Sequence, residues 1–191
     1  MIAGVLLAGG AGLRFGGGKL LHPLPGGVAV GVAAARNLIL GLPWSLAVVR
    51  PRDDELARLL REEGLEVVCC DESPHGLSRS IACGVAASNA ASGWVLALGD
   101  MPYIRPSTIC AVSAAIEQGA TIAVAEHCGQ RGHPVGFGRQ LQTELRQLHG
   151  DVGARSLIQR YDAHVVRIPV DDAGVVQDVD TLEDVVRDPR L

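Results

Sequence analysis

The sequence predicts an α/β protein in which helices cover both faces of a mostly parallel sheet, a three-layer α/β/α sandwich. Short, almost wholly apolar segments alternate with longer segments of helical character along the chain, and this alternation favours a parallel sheet between helices. Aromatic residues make up only 3% of the sequence, so the core must consist of Val, Leu, Ile and Ala, as in doubly wound sheets. The 191 residues suit a single domain, 1–191, without a repeat or a linker.

The predicted strands are the short apolar segments. Residues 2–8 contain no charged side chain, as expected of a strand that is covered on both faces. Glycine, proline or charged residues punctuate the chain between the other segments. Further strands are predicted at 44–49, 65–70, 94–98, 121–125, 134–137, 164–168 and 175–178.

The predicted helices lie between these strands. Gly41 and Pro43 end the first, Gly64 ends the second, and Pro106 stands in the first turn of the fourth, where proline is well tolerated. The helices are predicted at 28–40, 53–63, 78–91, 106–118, 139–148, 152–161 and 181–186.

Composition excludes several classes of function. The net charge is −4 and no basic run occurs, so a nucleic-acid surface is not expected. The apolar stretches are broken well short of the ~20 residues of a membrane span, and no leader pattern follows Met1. The five cysteines form no C-x-x-C pair, so we expect reduced, buried thiols and a cytoplasmic protein. They are Cys69, Cys70, Cys83, Cys110 and Cys128.

The first strand leads directly into a glycine-rich loop that contains two cations. Glycines fill much of 9–18, and Arg14 and Lys19 supply positive charge. Glycine lets backbone N–H groups approach a ligand closely, so such a loop can surround phosphates. The alternative is a strand-to-helix turn whose glycines only permit packing, but packing alone does not require Arg14 and Lys19. The loop therefore predicts a nucleotide site.

Two familiar glycine motifs do not fit this loop. The dinucleotide pattern G-x-G-x-x-G has Phe15 at its third glycine position, which disfavours a dehydrogenase. The Walker A pattern requires Ser or Thr after its lysine, but Leu20 follows Lys19.

Asp100 follows the predicted strand 94–98 and precedes Met101-Pro102. Ligands of doubly wound sheets bind beyond the carboxyl ends of the strands. The glycine-rich loop and Asp100 both occupy such ends, so we expect them to meet in one crevice. Carboxylate and phosphate oxygens are the ligands that Mg²⁺ prefers. The alternative for Asp100 is a turn aspartate that accepts hydrogen bonds from nearby backbone.

Residues 7–19 resemble the signature L-A-[AG]-G-x-[SG]-x-R-[FM]-G-x-x-K of the MobA-like nucleotidyltransferases. Further matches are Gly76-Leu77-Ser78-Arg79-Ser80-Ile81, Leu98-Gly99-Asp100-Met101-Pro102, Gly132-His133-Pro134-Val135, residues 150–155 and Asp178-Val179-Asp180-Thr181. Their order and spacing are similar to those of the molybdenum cofactor cytidylyltransferases. The resemblance implies a Rossmann-like, mostly parallel sheet of the nucleotide-diphospho-sugar transferase type.

The resemblance also implies a reaction: CMP is transferred from CTP to the phosphate of molybdopterin, with Mg²⁺ as the metal and pyrophosphate as the product. It assigns catalysis to Arg14, Lys19 and Asp100, and metal binding to Asp100 and Asp178. The implied nucleotide-binding residues are Leu7, Ala8, Gly9, Gly10, Gly12, Arg14, Lys19, Asp71, Ser78 and Ser80. The implied acceptor-binding residues are His133, Asp151 and Arg155. A molybdoenzyme partner is also implied.

Several of these residues have structural alternatives. Ser78 or Ser80 would serve equally as a helix cap, and Asp151 would cap the helix that follows it. His133 could simply begin a strand. The second metal ligand is Asp178 or Asp180, although Asp180 or Thr181 could instead cap the last helix.

The choice of base and acceptor is open at this stage. Leu7-Ala8-Gly9-Gly10 has the form found in guanylyltransferases, whereas Gly132-His133-Pro134 is of the cytidylyl form, and we favour CTP. The alternatives are GTP, a sugar-phosphate or polyol-phosphate acceptor, and a non-catalytic maturation factor for a molybdoenzyme.

Overall fold

The structure, a computed structural model, describes residues 1–10, 15, 17–73, 76–150 and 153–185. Seven strands form one sheet in the order β3-β2-β1-β4-β6-β5-β7. The strands are β1 (Ala3–Ala8), β2 (Ser45–Val49), β3 (Glu66–Cys69), β4 (Gly93–Leu98), β5 (Ile122–His127), β6 (Gln130–Gly138) and β7 (Val165–Pro169). The helices are α1 (Val30–Gly41), α2 (Asp54–Glu62), α3 (Leu77–Ala87), α4 (Pro106–Glu117), α5 (Gln142–Arg146), α6 (Arg155–Arg160) and α7 (Leu182–Val185).

The sheet is mostly parallel, as predicted. Strands β1, β2, β3 and β4 run in one direction, and β7 is parallel to β5. Strand β6 lies between β4 and β5 and is antiparallel to both. Consequently the start of β6 lies at the same edge of the sheet as the carboxyl ends of β1 and β4. That edge carries the candidate site.

Two apolar layers confirm the three-layer arrangement. Side chains of β1 alternate, so Leu6 joins one layer and Leu7 the other, as the period of a strand requires. Helices α1, α2 and α4 cover the first layer through residues such as Leu38, Leu60 and Ile109. Helices α3, α5 and α6 cover the second through Ile81, Leu145 and Leu157.

Three predicted elements differ from those observed. Residues 175–178 are not a strand: a 3-10 helix spans Ala173–Val176, because the Asp172 carboxylate accepts a hydrogen bond from the Gly174 N–H at 3.1 Å and begins that turn. The helix predicted at 139–148 is a 3-10 turn, Arg139–Leu141, followed by α5. Helix α6 is shorter than the predicted 152–161, and residues 151 and 152 lie outside the described part.

The prediction of buried, reduced cysteines is wrong. Cys70 and Cys83 form a disulfide that joins the end of β3 to α3. The thiols of Cys69, Cys110 and Cys128 are exposed. Cys69 ends the edge strand β3, and Cys128 lies in the turn between β5 and β6, so neither position is covered. Within the described residues, none of the helices is both long and apolar enough to cross a membrane.

Candidate functional site

Lys19 is held at the edge of the sheet by a turn that requires glycine. Gly17 and Gly18 have φ angles of +96° and +66°, a backbone region that side chains rarely adopt. The turn leads into a 3-10 helix, Lys19–Leu21, whose Leu20 is buried in the core. This anchor fixes the Lys19 backbone while its side chain reaches out over the end of β4.

The Lys19 ammonium donates hydrogen bonds to two carboxylates. Its Nζ lies 2.7 Å from Asp100 Oδ2 and 2.9 Å from Asp180 Oδ1. The Lys19 side chain is 11% exposed, against 26% for Asp100 and 35% for Asp180. Charge-assisted bonds of this length are among the stronger hydrogen bonds. The three side chains form one cluster, which we call the Lys19 cluster.

Backbone hydrogen bonds position both aspartates. The Gly99 N–H donates to the Leu7 carbonyl at 3.0 Å, which holds the turn after β4 against β1. The Val179 N–H donates to the Asp100 carbonyl at 2.9 Å, and Val179 is 1% exposed. Thus the segment that carries Asp178 and Asp180 is attached directly to the Asp100 turn.

The cluster keeps Lys19 charged. Burial lowers the pKa of Lys19, but the hydrogen bonds and charges of Asp100 and then Asp180 outweigh that effect and leave the pKa above its ordinary 10.5. A protonated amine is a phosphate-binding cation and not a nucleophile. Lys19 is also the only lysine among the 191 residues, beside 16 arginines.

The charges of the Lys19 cluster also affect the pKa of Asp178. Loss of solvation raises its pKa above 3.8; its own backbone hydrogen bond lowers it, the charges of Asp180 and Asp100 raise it further, and Lys19 lowers it. Neighbouring carboxylates repel one another, and a divalent cation bound between them removes that repulsion.

The residues present fit a divalent metal that is shared with phosphate oxygens. Among the described residues, no three His, Cys, Asp or Glu side chains already form a ligand set. Mg²⁺ commonly uses only one or two carboxylates together with substrate phosphates. Asp100 would supply one such carboxylate, and Asp178 or Asp180 a second.

Part of the predicted glycine-rich loop lies outside the described residues, including Gly12 and Arg14. Ala8 is fully buried, and Gly9 is tightly packed: a side chain there would place Cβ 2.9 Å from Ser80 Oγ and 3.0 Å from Ser73 Cβ. At Gly10, no atom of the described residues lies within 4 Å of such a Cβ. Gly9 therefore serves packing, whereas Gly10 is open for the approach of a ligand.

The helix-cap alternative for Ser78 and Ser80 is not what the structure shows. Helix α3 begins after Gly76, with no side-chain cap. Ser78 Oγ donates to the Gly153 carbonyl at 3.4 Å, and Ser80, 2% exposed, packs on Gly9. Asp71 is exposed at the end of β3.

Sequence reasoning missed Ser73. Its side chain packs beside Gly9, it is 5% exposed, and its buried Oγ has no hydrogen-bond partner among the described residues. A buried hydroxyl without a partner costs about 1–3 kcal/mol. No sequence pattern distinguishes this serine from others, because its burial depends on the packing of Gly9 against it.

The last helix settles the choice between Asp180 and Thr181 as a cap. The Thr181 N–H donates to Asp184 Oδ2 at 2.8 Å, and the Asp184 N–H returns a hydrogen bond to Thr181 Oγ1 at 3.4 Å. This reciprocal pair is a capping box. Asp180 instead directs its carboxylate to Lys19.

A cavity of about 520 Å³ lies between the sheet and helices α3 and α6. His133 and Arg155 line it, as does Arg131, which the sequence analysis did not single out. His133 precedes Val135, which pairs with Leu96, so the ring lies near the end of β4. Asp151, predicted to act with these residues, lies outside the described part.

The His133 ring is neutral near pH 7. Burial lowers its pKa below 6.5, while the charge of Asp100 and a hydrogen bond to the Leu96 backbone oppose that effect. Its Nδ1 is buried and has no hydrogen-bond partner within the described ranges. The arrangement can thus hold a phosphorylated nucleotide beside Gly10 and Lys19 and a second molecule in the cavity.

Comparison with known proteins finds relatives that match nearly the whole chain. Nicotine blue oxidoreductase of Paenarthrobacter nicotinovorans is 28% identical over 97% of this chain and 95% of that protein. The crystal structure of Rv0371c from Mycobacterium tuberculosis H37Rv matches with a TM-score of 0.82 and 29% identity over 96% of this chain and 94% of that one. A complex of Rv0371c with manganese matches with a TM-score of 0.78 and 28% identity over 96% and 95%.

Molybdopterin-guanine dinucleotide biosynthesis protein A from Archaeoglobus fulgidus has the same fold, with a TM-score of 0.63 over 96% of this chain and 94% of that one. Its identity of 17% shows the fold alone. The family model described as the MobA-like NTP transferase domain matches residues 4–165, a span that includes Lys19, Asp100 and the cavity. The chain therefore belongs to the family of MobA-like nucleotidyltransferases.

Proposed function

We propose that this chain transfers CMP from CTP to the phosphate of a small acceptor, molybdopterin, and releases pyrophosphate. The observation that carries the proposal is the Lys19 cluster: the largely buried Lys19 ammonium lies against Asp100 and Asp180. Lys19 and Gly10 line the same small pocket. Nucleotidyl transfer needs this combination of a phosphate-binding cation and carboxylates at one point.

The nucleotide is proposed to lie along the glycine-rich loop. Gly10 and Gly12 let backbone N–H groups meet it, and Arg14 and Lys19 bind its phosphates. The bottom of the nucleotide site is formed by Leu7, Ala8 and Gly9. The base and ribose lie near Asp71, Ser78 and Ser80. We add Ser73 to this group, because its buried hydroxyl beside Gly9 has no hydrogen-bond partner in the part of the chain that the structure describes.

In the reaction an oxygen of the acceptor phosphate attacks the α-phosphorus of CTP, and the bond to the β-phosphate breaks. Lys19, charged at neutral pH, stabilises the negative charge that develops on the pyrophosphate. Asp100 with Asp178 or Asp180 would hold Mg²⁺, which supplies further positive charge to the phosphates when bound. The manganese complex of the similar protein Rv0371c supports the use of a divalent metal.

The acceptor is proposed to occupy the cavity, with His133, Asp151 and Arg155 contacting it. A molybdoenzyme would receive the product. Molybdopterin is favoured by the resemblance of several motifs and by the likeness in fold to a molybdopterin-guanine dinucleotide biosynthesis protein.

The test is pyrophosphate release with each of the four NTPs, Mg²⁺ or Mn²⁺, and molybdenum-loaded molybdopterin. Release with CTP alone is the expected result, and release with GTP alone would assign the other base. Asp100→Ala should abolish metal-dependent release while the circular dichroism spectrum is unchanged. Asp54→Asn, at an exposed position on α2, is the matched control and should retain full activity.

A second candidate function is an oxidoreductase reaction. One observation favours it: the similarity to Nicotine blue oxidoreductase extends over 97% of this chain. Oxidation of a reduced nicotinamide nucleotide, without pyrophosphate release from any NTP, would replace the proposed function by this one. If the protein binds nucleotide but catalyses neither reaction, the result favours a non-catalytic maturation factor for a molybdoenzyme.

A further inference from the structure

The disulfide of Cys70 and Cys83 encloses one part of the proposed nucleotide site. The two cysteines are 13 residues apart in the sequence. The residues between them include Asp71, Ser73, Ser78 and Ser80. The bridge therefore links the two ends of the segment that we place beside the base and ribose.

The Cys70 end of this segment is a short turn, residues 70–73, which we call the Ser73 turn. Its first residue is fixed to the sheet, because the Cys70 N–H donates to the Val49 carbonyl at 2.9 Å. Further along, the Ser73 N–H donates to the Cys70 carbonyl at 3.0 Å, and the Gly76 N–H donates to the Ser73 carbonyl at 3.2 Å. These last two bonds lie within the segment itself, so they do not attach the turn to α3.

A covalent link and an exposed ion pair join the Ser73 turn to α3. The covalent link is the disulfide, and the ion pair is that of Glu72 with Arg79. The side chains of the pair are 55% and 33% exposed, and water screens exposed ion pairs so that they contribute little to stability. The disulfide is therefore the stronger of these two links between the turn and α3.

The turn holds a hydroxyl beside the glycine-rich loop. A Cβ at Gly9 would lie 3.0 Å from Ser73 Cβ and 2.9 Å from Ser80 Oγ, so Gly9 fits between the turn and α3. Within the described residues, the buried Ser73 Oγ has no hydrogen-bond partner. A buried hydroxyl without a partner is unfavourable, since it has lost its hydrogen bonds to water. The turn therefore gains by moving outward once the link to α3 is broken, unless a ligand bonds the hydroxyl.

A reductant reaches the bridge from the side of Cys83. Cys83 is only partly buried, whereas Cys70 is 1% exposed. A thiolate of a small dithiol attacks Sγ of Cys83, the S–S bond breaks, and Cys70 leaves as a thiolate that takes up a proton. The second thiol of the reagent then attacks the mixed disulfide. The dithiol is thereby oxidised to a disulfide, and both cysteines end as thiols.

We propose that the Cys70–Cys83 disulfide is a redox switch for nucleotide binding. The oxidised form holds the Ser73 turn against α3 and Gly9, and two-electron reduction by a thiol compound releases the turn. This inference rests on the proposed function only in taking Ser73 as part of the nucleotide site. A turn that is ordered before binding lowers the entropic cost of binding, so the oxidised form binds nucleotide more tightly.

The test compares the two forms of one protein sample. After treatment with excess oxidised dithiothreitol, alkylation and mass spectrometry should find three free thiols per chain, and after reduced dithiothreitol all five. Equilibrium dialysis with labelled CTP then measures affinity. We expect the apparent dissociation constant to be about tenfold higher in the reduced form, in which the binding-competent turn is only partly populated. Reoxidation should restore the lower value.

Hydrogen exchange follows the turn without any nucleotide. In the reduced form the N–H groups of Ser73 and Gly76 should exchange faster than in the oxidised form, because their hydrogen bonds open more often when the turn is released. The Cys70 N–H, which is bonded to the carbonyl of Val49 in β2, should exchange equally in both forms.

Three variants locate the response. Cys83→Ser removes the bridge at its partly buried sulfur and should bind CTP as the reduced parent does, with or without dithiothreitol. Cys110→Ser removes an exposed thiol of α4, on the other face of the sheet, and should keep the full response. In Ser73→Ala the two redox forms should bind CTP equally, because the turn then has no hydroxyl to position.

The switch is overturned if reduced protein with five thiols binds CTP as tightly as the oxidised protein, or if exchange at Ser73 and Gly76 is the same in both forms. It is also overturned if Ser73→Ala keeps the response, or if the oxidised sample still has five thiols. If neither form binds any NTP, the proposed function fails, and hydrogen exchange alone decides whether reduction releases the turn. Should Cys83→Ser not fold, the reversible change in the parent decides.

Discussion

Lys19 Nζ lies 2.7 Å from Asp100 Oδ2, although 81 residues separate the two in the sequence. The contact joins the loop after β1 to the turn after β4, two adjacent parallel strands whose carboxyl ends meet at one edge. It brings a positive charge and a carboxylate that we propose as a metal ligand to the same point. The proposed nucleotidyl transfer depends on this contact more than on any other.

Removing the Lys19 charge should abolish most of the activity. Lys19→Met leaves the Asp100 and Asp180 carboxylates without the ammonium between them, and loss of such a phosphate contact costs roughly 2–4 kcal/mol of transition-state stabilisation. We expect kcat/KM for CTP to fall about 30- to 1,000-fold. Steady-state pyrophosphate release measures it. An equally active Lys19→Met would remove Lys19 from the mechanism.

The pKa of Lys19 can be measured directly, because it is the only lysine. Protein labelled with ¹⁵N-lysine should give one Nζ resonance that titrates above 10.5, the ordinary value. Because the pKa is raised in the folded protein, the stability that Lys19 contributes is present below 10.5 and is lost as pH rises through the folded value. Asp100→Asn should lower the titration midpoint. A midpoint below 10.5 in the parent would contradict the cluster.

Metal affinity should depend on the ionisation of Asp178. Its pKa is raised above 3.8 in the folded protein, so protonation competes with metal at a higher pH than for an ordinary aspartate. Calorimetric titration with Mn²⁺ should show affinity that falls as pH is lowered through this raised pKa. Asp178→Asn should remove that pH dependence if Asp178 is a ligand. If Asp180→Asn alone weakens binding, the second ligand is Asp180.

Ser73→Ala separates a role in nucleotide binding from a role in stability. The Ser73 hydroxyl is buried without a partner, so its removal should leave the free energy of unfolding unchanged or raise it. If it bonds the nucleotide, CTP affinity should fall about tenfold, or roughly 1.4 kcal/mol. Equilibrium dialysis with labelled CTP and urea unfolding measure the two effects.

The matched control is Ser88→Ala. Ser88 Oγ accepts from Trp94 Nε1 at 2.9 Å and donates to the Gly84 carbonyl at 2.7 Å. Its loss leaves the buried indole N–H unpaired, which should cost about 1–3 kcal/mol of stability without changing CTP affinity. Equal CTP affinity in Ser73→Ala and the parent would remove Ser73 from the site.

Substitution by alanine should lower stability at Gly9 but nucleotide affinity at Gly10. At Gly9 the new Cβ would lie 2.9 Å from Ser80 Oγ and 3.0 Å from Ser73 Cβ, so Gly9→Ala should be destabilised, typically by about 1–3 kcal/mol for such overpacking. Gly10→Ala meets no atom within 4 Å and should fold normally but bind CTP more weakly. Thermal unfolding and dialysis distinguish them. A Gly10→Ala variant with unchanged affinity would show that the nucleotide avoids this residue.

The layered α/β architecture could be predicted from the amino-acid sequence alone. Apolar segments such as Ala3–Ala8 and Gly93–Leu98 are readable because burial on both faces demands uninterrupted apolar residues. The sequence also predicted that Lys19 and Asp100 meet, because each follows a strand of the same parallel sheet. Both conclusions depend on the order of apolar and polar residues within short segments and on the regular geometry of parallel strands. Neither requires knowledge of which distant segments are in contact.

The tertiary structure decided what local pattern does not contain. It placed β6 antiparallel between β4 and β5 and so formed the wall that carries His133. It joined Asp180 to Lys19 across 161 residues, while Thr181 took the helix cap, and it paired Cys70 with Cys83. It also left the hydroxyl of Ser73 unpaired beside Gly9. Each outcome depends on which distant segments pack together, and that choice is made by the free energy of the whole core and not by neighbouring residues.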